Sequence, residues 1–456
     1  MNTNPTDIIA TQVDVQAQES EYRGWQTLSL NNDLITVQTA PIIGGRIIQF
    51  SLQDHEYLWV DDDLAGTQPT SSGLGSDGDT VNYGGEKLWP APQAWQTGVY
   101  AHYCAFQGVP LDDRNPGPPM PDLDGIPHTG ALIPGGIRLT SPASQQFGIQ
   151  FVRDIQIFDA STRVNVVATM TNVDTGPHRW GIWSVAQVNA TRPDGSLNTE
   201  TRTYVPINRN SMFPKGYEQI FGQVGTLQIQ PDYESGIMCV HFQNEVAKVG
   251  LDNDAGWVAT VDGETGYVFV QQFTYQPHQP YPDNASVEVW LHGKGEFYAY
   301  DQLIDMGENP PHLIESEILS PFADLEPGET YTYQYDVLAT NIGGNFPVLD
   351  CTPVGLTAAP LTATVVDQRL QLTGRFGLFY KGQASLAYLN QGGLPIGAAD
   401  VMQTVTPASP LLLEESNLAI IESVPAEATS VVLQLRDRRG KLIANLAQAQ
   451  ILFLRD

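Results

Sequence analysis

Two short stretches of this 456-residue chain concentrate side chains able to do chemistry. In the late segment Glu315-Ser316-Glu317-Ile318, two glutamates stand two positions apart. If the segment is extended, both carboxylates leave one face, about 6–7 Å apart along the backbone, and Ile314 and Ile318 take the opposite, buried face. Close carboxylates raise the pKa of one member, because the second negative charge opposes ionisation of the first, and so create an acid/base pair. The alternative is a solvated edge-strand face on a very acidic protein. The earlier stretch, Glu86-Lys87-Leu88-Trp89-Pro90-Ala91-Pro92-Gln93 followed by Trp95, combines flat apolar surface with hydrogen-bonding groups. Trp89 and Trp95 suit the C–H face of a pyranose ring, and Glu86, Lys87 and Gln93 suit its hydroxyls. Pro90 and Pro92 are expected to stiffen the stretch as a preorganised loop; the alternative is a structural loop with core tryptophans. Trp183 and Gln187 share a face of the Trp180–Asn189 segment and either join this set or pack in the core.

His292 alternates with Glu288 and Trp290 in Val287–His292, and it and His102 are the histidines considered as acid–base groups. Asp61-Asp62-Asp63 and Asp252-Asn253-Asp254 resemble pieces of calcium loops but complete none, so no metal is expected. There is no Walker loop, dinucleotide fingerprint or G-x-S-x-G elbow, so no cofactor is expected either. The three cysteines, Cys104, Cys239 and Cys351, lack C-x-x-C spacing, which argues against a zinc site or a disulfide scaffold.

The elements that must position these residues read as strands. Forty-two glycines and 32 prolines punctuate the chain throughout, ending many short segments in turns. Arg46–Leu52, Ile149–Phe158, Val164–Thr171, Trp180–Asn189, Tyr267–Phe273, Val287–His292 and Thr330–Leu338 show strand character, several with period-two alternation. Asp61 to Pro134 reads as loop-rich. The pattern breaks at Gly343-Gly344, Pro347, Pro353 and Gly355, which sets a division there. The expected organisation is a loose tail over 1–20, a large β domain over 21–345, and a second domain over 356–456. About seven short strands in the last hundred residues match the size of an immunoglobulin-like sandwich. Leu442–Ile451 is ambiguous between helix and strand.

Charge restricts the partners. With 22 Lys plus Arg against 51 Asp plus Glu, the formal net charge is −29. Such a surface repels phosphate backbones and anionic membranes, so neither nucleic acid nor a membrane is expected as partner. No run approaches membrane-spanning length and Met1–Ser20 has no apolar signal-like core, so cytoplasm is the expected compartment.

Three motifs carry a family resemblance. Gly44-Gly45-Arg46-Ile47-Ile48-Gln49-Phe50 with Tyr57-Leu58-Trp59, the Asn82–Trp95 stretch, and Glu315–Pro321 with Leu325-Glu326-Pro327-Gly328-Glu329 resemble the galactose mutarotase-like (aldose 1-epimerase-like) superfamily, over roughly residues 25–340. The resemblance implies an all-β chain, with a large antiparallel β-supersandwich bearing a ligand cleft. It also implies a mono- or oligosaccharide ligand and a late glutamate, Glu317 or Glu315, as base. Arg46 is carried over as a substrate-binding residue with the first motif. The superfamily's mid-chain histidine has no counterpart here, because the corresponding strand reads Gly181-Ile182-Trp183-Ser184-Val185-Ala186-Gln187. His292 and His102 are the substitutes. The expected function is therefore carbohydrate binding with epimerase-like chemistry at the anomeric centre. A non-catalytic glycan-binding protein is the alternative. A glycosidase or polysaccharide lyase ranks last, because neighbours on one strand are poorly placed to flank a scissile bond.

Overall fold

The computed structural model describes residues 15–92, 121–145, 147–299, 302–367, 369–413, 420–421 and 424–453. Alternating side chains build its layers. In the strand Ile149–Ile157, burial alternates at every position, with Ile149, Phe151, Ile155 and Ile157 inward and Arg153 the one charged member of the inward row. Such strands assemble into two large antiparallel sheets. The first, of 12 strands, runs from Gln16–Tyr22 at one edge through Arg46–Leu52, Glu86–Ala91, His178–Asn189, Leu313–Leu319, Val287–His292 and Ala247–Leu251 to Glu218–Gly222. The second, of 10 strands, has Tyr267–Phe273, Thr330–Asn341 and Val164–Asn172 at its centre. One apolar core, including Phe151, Val166, Met170, Val289 and Ile318, lies between them. The all-β, large-supersandwich expectation holds.

The far face of the second sheet is apolar as well. Tyr204, Trp257, Val261, Val270 and Leu338 share a core with Leu356, Phe376, Phe379 and Leu433 of a nine-stranded C-terminal sheet system. In this smaller β unit a parallel pairing of Ala363–Val365 with Ile451–Phe453 joins Gly355–Val366 to Leu442–Phe453.

Several local expectations are corrected. The tail ends early: Gln16–Tyr22 is a strand, paired from Gln16↔Asn31 to Tyr22↔Trp25. The ambiguous Leu442–Ile451 segment lies in a strand, Leu442–Phe453, its partner Ser430–Arg436 supplying the ladder hydrogen bonds a helix would have made internally. The stretch read as a stiff loop is, over Glu86–Ala91, a strand buried at every position. Its prolines misled: the central strand accommodates Pro90 without disrupting the pairing of Trp89 and Ala91 to the next strand. The glycine pair before it explains how it enters the sheet. Gly84 and Gly85 have φ of 87° and 80°. A Cβ on Gly84 would fall 2.2 Å from the Trp59 carbonyl oxygen, and one on Gly85 2.5 Å from that of Ile47. Only glycine permits that approach at that φ.

Candidate functional site

Strand alternation divides the Glu86–Ala91 residues between two faces. Glu86 points into the core between the sheets, where it ion-pairs with Arg153 and accepts hydrogen bonds from Ser184 Oγ and Tyr335 Oη, each at 2.7 Å. Ser184 Oγ in turn accepts from Gln271 Nε2 at 3.2 Å, and Gln271 Oε1 accepts from Ser316 Oγ at 2.9 Å. The inward arginine of Ile149–Ile157 thus belongs to a buried polar network that ties the sheets together. A substrate-binding role for Glu86 does not fit this placement, because its carboxylate is consumed by the core. The same holds for Arg46. It is fully buried and donates to the carbonyls of Ile43, Gly84 and Asp124 and to the Asp124 carboxylate. It fastens the glycine-rich entry to the strand and has no donor directed at a cleft.

The other face collects chemistry. Register places Lys87 opposite Val185, Val185 opposite Glu317, and Glu317 opposite Glu288. A neighbouring row runs Gln187, Glu315, Trp290, Lys248, and a third runs Trp89, Trp183, Leu319. Five central strands therefore converge on one patch. Lys248 Nζ stands 2.7 Å from Glu288 Oε2 and 2.9 Å from Glu317 Oε2, with all three residues buried. The same ammonium lies 4.5 Å from the Trp183 ring centroid. Trp183 meets Trp89 edge to face at 5.4 Å, and Lys87 Nζ lies 4.4 Å from the Trp89 ring. Trp89 and Trp183 are thus members of a packed cluster with Ala91, Val185 and Leu319, and not exposed stacking platforms. Gln187 Nε2 donates to Glu315 Oε1 at 2.7 Å. Trp290 Nε1 donates to His292 Nδ1 at 3.2 Å, which leaves the imidazole proton on Nε2.

Electrostatics here are set by burial. It pushes Glu317 well above the usual carboxylate range; Lys248 opposes that rise, and Glu288 adds to it. Burial works against the charge on Lys248, but Glu288 and Glu317 outweigh it, so the ammonium is held more firmly than usual. Lys87 and His292 are both lowered by burial, so His292 is neutral at pH 7. Asp283, beside this group, is pushed up to about 7 by burial and then by the charge of Glu288. Two carboxylates facing one ammonium balance their charge when one of them keeps a proton, and burial favours the protonated form of Glu317.

Several buried polar atoms of the patch make no hydrogen bond: Glu317 Oε1, Glu288 Oε1, Gln187 Oε1, and the indole N–H groups of Trp89 and Trp183. Buried polar groups are nearly always paired, so this set marks a place where another molecule's donors and acceptors would fit. Glu315 and His292 are only half-buried, so the patch opens at their end.

Of the residues singled out from sequence, the structure brings Lys87, Trp89, Trp183, Gln187, Glu315, Glu317 and His292 onto one face and sends Glu86 and Arg46 elsewhere. Gln93, Trp95 and His102 lie outside the described residues. Lys248, Glu288 and Asp283 were missed. A lysine inside the apolar run Ala247-Lys248-Val249-Gly250-Leu251 was a usable signal, since a strand buries such a residue only with a partner. Among the described residues, no group of three or more His, Cys, Asp or Glu side chains has the geometry to hold a metal ion. No helix there is long and apolar enough to cross a membrane.

A family model described as a domain of unknown function, DUF4380, matches residues 25–337. No curated protein matches the sequence. Among solved structures, a galactose mutarotase-like protein from Lactobacillus casei is similar at 10% identity and TM-score 0.41, covering 69% of this chain and 99% of that one. A galactose mutarotase-like protein from Clostridium acetobutylicum gives 10% and 0.42, covering 72% and 99%. A TPR-domain containing protein from Parabacteroides distasonis gives 12% and 0.42, covering 69% of this chain; this chain spans 47% of that protein.

Proposed function

This chain belongs to the DUF4380 family, and from the site it carries we propose that it binds a carbohydrate and transfers protons at the sugar's anomeric centre. One observation carries the reading. Glu288 and Glu317 are cross-strand neighbours that share the Lys248 ammonium, and each keeps an oxygen without a hydrogen-bond partner.

Interconverting anomers needs a base at the anomeric hydroxyl and an acid at the ring oxygen. A carboxylate pair holding one proton supplies both. Glu288 Oε1 accepts the hydroxyl proton while protonated Glu317 gives its own to the ring oxygen; the ring C–O bond opens and an aldehyde forms. Rotation about the C1–C2 bond and reversal of both transfers close the other anomer and return each carboxyl to its starting state. Lys248 holds the two carboxyl groups together and stabilises whichever is ionised. Sequence favoured Glu317 as base; burial, which raises its pKa, suits it to the role of acid. Glu315 and His292, at the open end, would meet sugar hydroxyls, with Gln187 buried behind Glu315.

Polarimetry and NMR exchange on freshly dissolved hexoses, pentoses and uronic acids test the reading. Glu288→Gln and Glu317→Gln are each expected to slow turnover by at least about 10²-fold, the lower range for losing general acid or base help, with sugar binding retained. Full activity in both variants would sink the catalytic assignment. A non-catalytic glycan-binding role is the second reading, favoured by the complete burial of both carboxylates. It takes over if the wild type binds a sugar but accelerates no interconversion.

A further inference from the structure

A cavity of about 450 Å³, outside the carboxylate patch, is lined from both sheets, by Tyr57, Trp59 and Asn189 of the first and Thr201, Asp262 and Tyr267 of the second. That volume is in the range of small-ligand sites. Its wall carries a stacked aromatic pair: the His55 imidazole lies parallel to the Tyr267 ring, with centroids 4.2 Å apart and planes 8° apart. Thr201, only 1% exposed, lines it with a hydroxyl that has no hydrogen-bond partner.

The lining charges select against anions. Arg23 is taken up by Glu56 and Asp62, and Arg192 by Glu264. Asp54 and Asp262 add further negative charge, so phosphorylated and uronic-acid ligands are repelled. A neutral, polyhydroxylated ligand with one apolar face fits. The ring pair takes C–H groups, and Thr201, Asn189 and Asp262 take hydroxyls.

The cavity also adjoins the carboxylate patch. Trp59 N donates to the Gln187 carbonyl and Asn189 N to that of Tyr57, both at 2.8 Å, so residues 57–60 extend the first sheet beside Gln187. From Val185, opposite Glu317, to Asn189 on the cavity wall is four residues, about 13 Å at strand rise. One pyranose ring does not span that distance.

We propose that this cavity is a second saccharide subsite, and that the ligand is a neutral oligosaccharide with one unit at Glu288 and Glu317 and a further unit on His55 and Tyr267. The proposal rests on the carbohydrate reading of the carboxylate patch. Calorimetric titration with glucose, galactose, mannose and xylose, and with di- and trisaccharides of each, tests it. In at least one series the trisaccharide is expected to bind tenfold or more tightly than the monosaccharide. His55→Ala and Thr201→Val should remove that gain and leave monosaccharide affinity unchanged; His55→Phe, which keeps a ring against Tyr267, should retain it. Equal affinity at every length, with the monosaccharide bound, overturns the subsite and leaves the carbohydrate reading standing. A length-dependent gain that survives both His55→Ala and Thr201→Val also overturns it. Failure to bind any of these sugars overturns both.

Discussion

Asp283 shows how single residues tune this site. It sits at φ 52°, a backbone conformation that aspartate and asparagine tolerate better than most residues. Burial and the charge of Glu288 lift its pKa to about 7. A carboxyl whose folded pKa exceeds its unfolded value of 3.8 binds its proton more tightly in the native state. Its contribution to stability is therefore full below about pH 4 and is lost as pH rises through about 7. Asp283→Asn fixes the uncharged form and suits the same backbone. The difference in Tm, variant minus wild type, is expected to grow from about pH 4 to about pH 7 and to level off above that. A flat or falling difference across that range would show that Asp283 ionises without hindrance.

At the scale of elements, Lys248 is the tie among three strands, Ala247–Leu251, Val287–His292 and Leu313–Leu319. Removing its charge leaves two carboxyl groups buried without their cation. Breaking a buried ion pair from one side typically costs about 3–5 kcal/mol. Lys248→Met should therefore lower the urea midpoint sharply, and adding Glu288→Gln and Glu317→Gln to it should recover most of the loss. If Lys248→Met alone leaves the midpoint unchanged, the ammonium is not what holds these strands at the site. The cation–π stack of Lys87, Trp89, Trp183 and Lys248 belongs to the same scale. It gives two apparent sugar-stacking tryptophans a structural task, fixing the lysines against which the carboxylates are set.

For the whole molecule, the far face of the second sheet is the decisive surface. We propose the division between the two β units near Gly343–Gly355, and the apolar core spanning it means that they are not energetically independent. A chain ending at Pro347 would expose Tyr204, Trp257, Val261, Val270 and Leu338, a larger apolar patch than monomeric proteins normally show. It is expected to self-associate in analytical ultracentrifugation and bind a hydrophobic dye, while the full chain does neither. A monodisperse truncated chain with an unchanged melting curve would place the stabilising contacts elsewhere.

Strand period, turn residues and acidity were determined by local sequence, because alternation and glycine or proline punctuation act over a few residues. They sufficed for the all-β class and for strands such as Arg46–Leu52, Tyr267–Phe273 and Val287–His292. They also sufficed to place Glu315 and Glu317 on one face, since a strand's side chains repeat every second residue. Tertiary structure alone decided which charges meet. Glu86 and Lys87 are adjacent in sequence, yet one enters the inter-sheet core with Arg153 and the other joins the patch with Trp89. Pairing Lys248 with Glu288 and Glu317 depended on the register of three strands separated by up to 69 residues. Burial, which gives Glu317 its affinity for a proton, arises only when those strands close into one sheet and no local pattern encodes it.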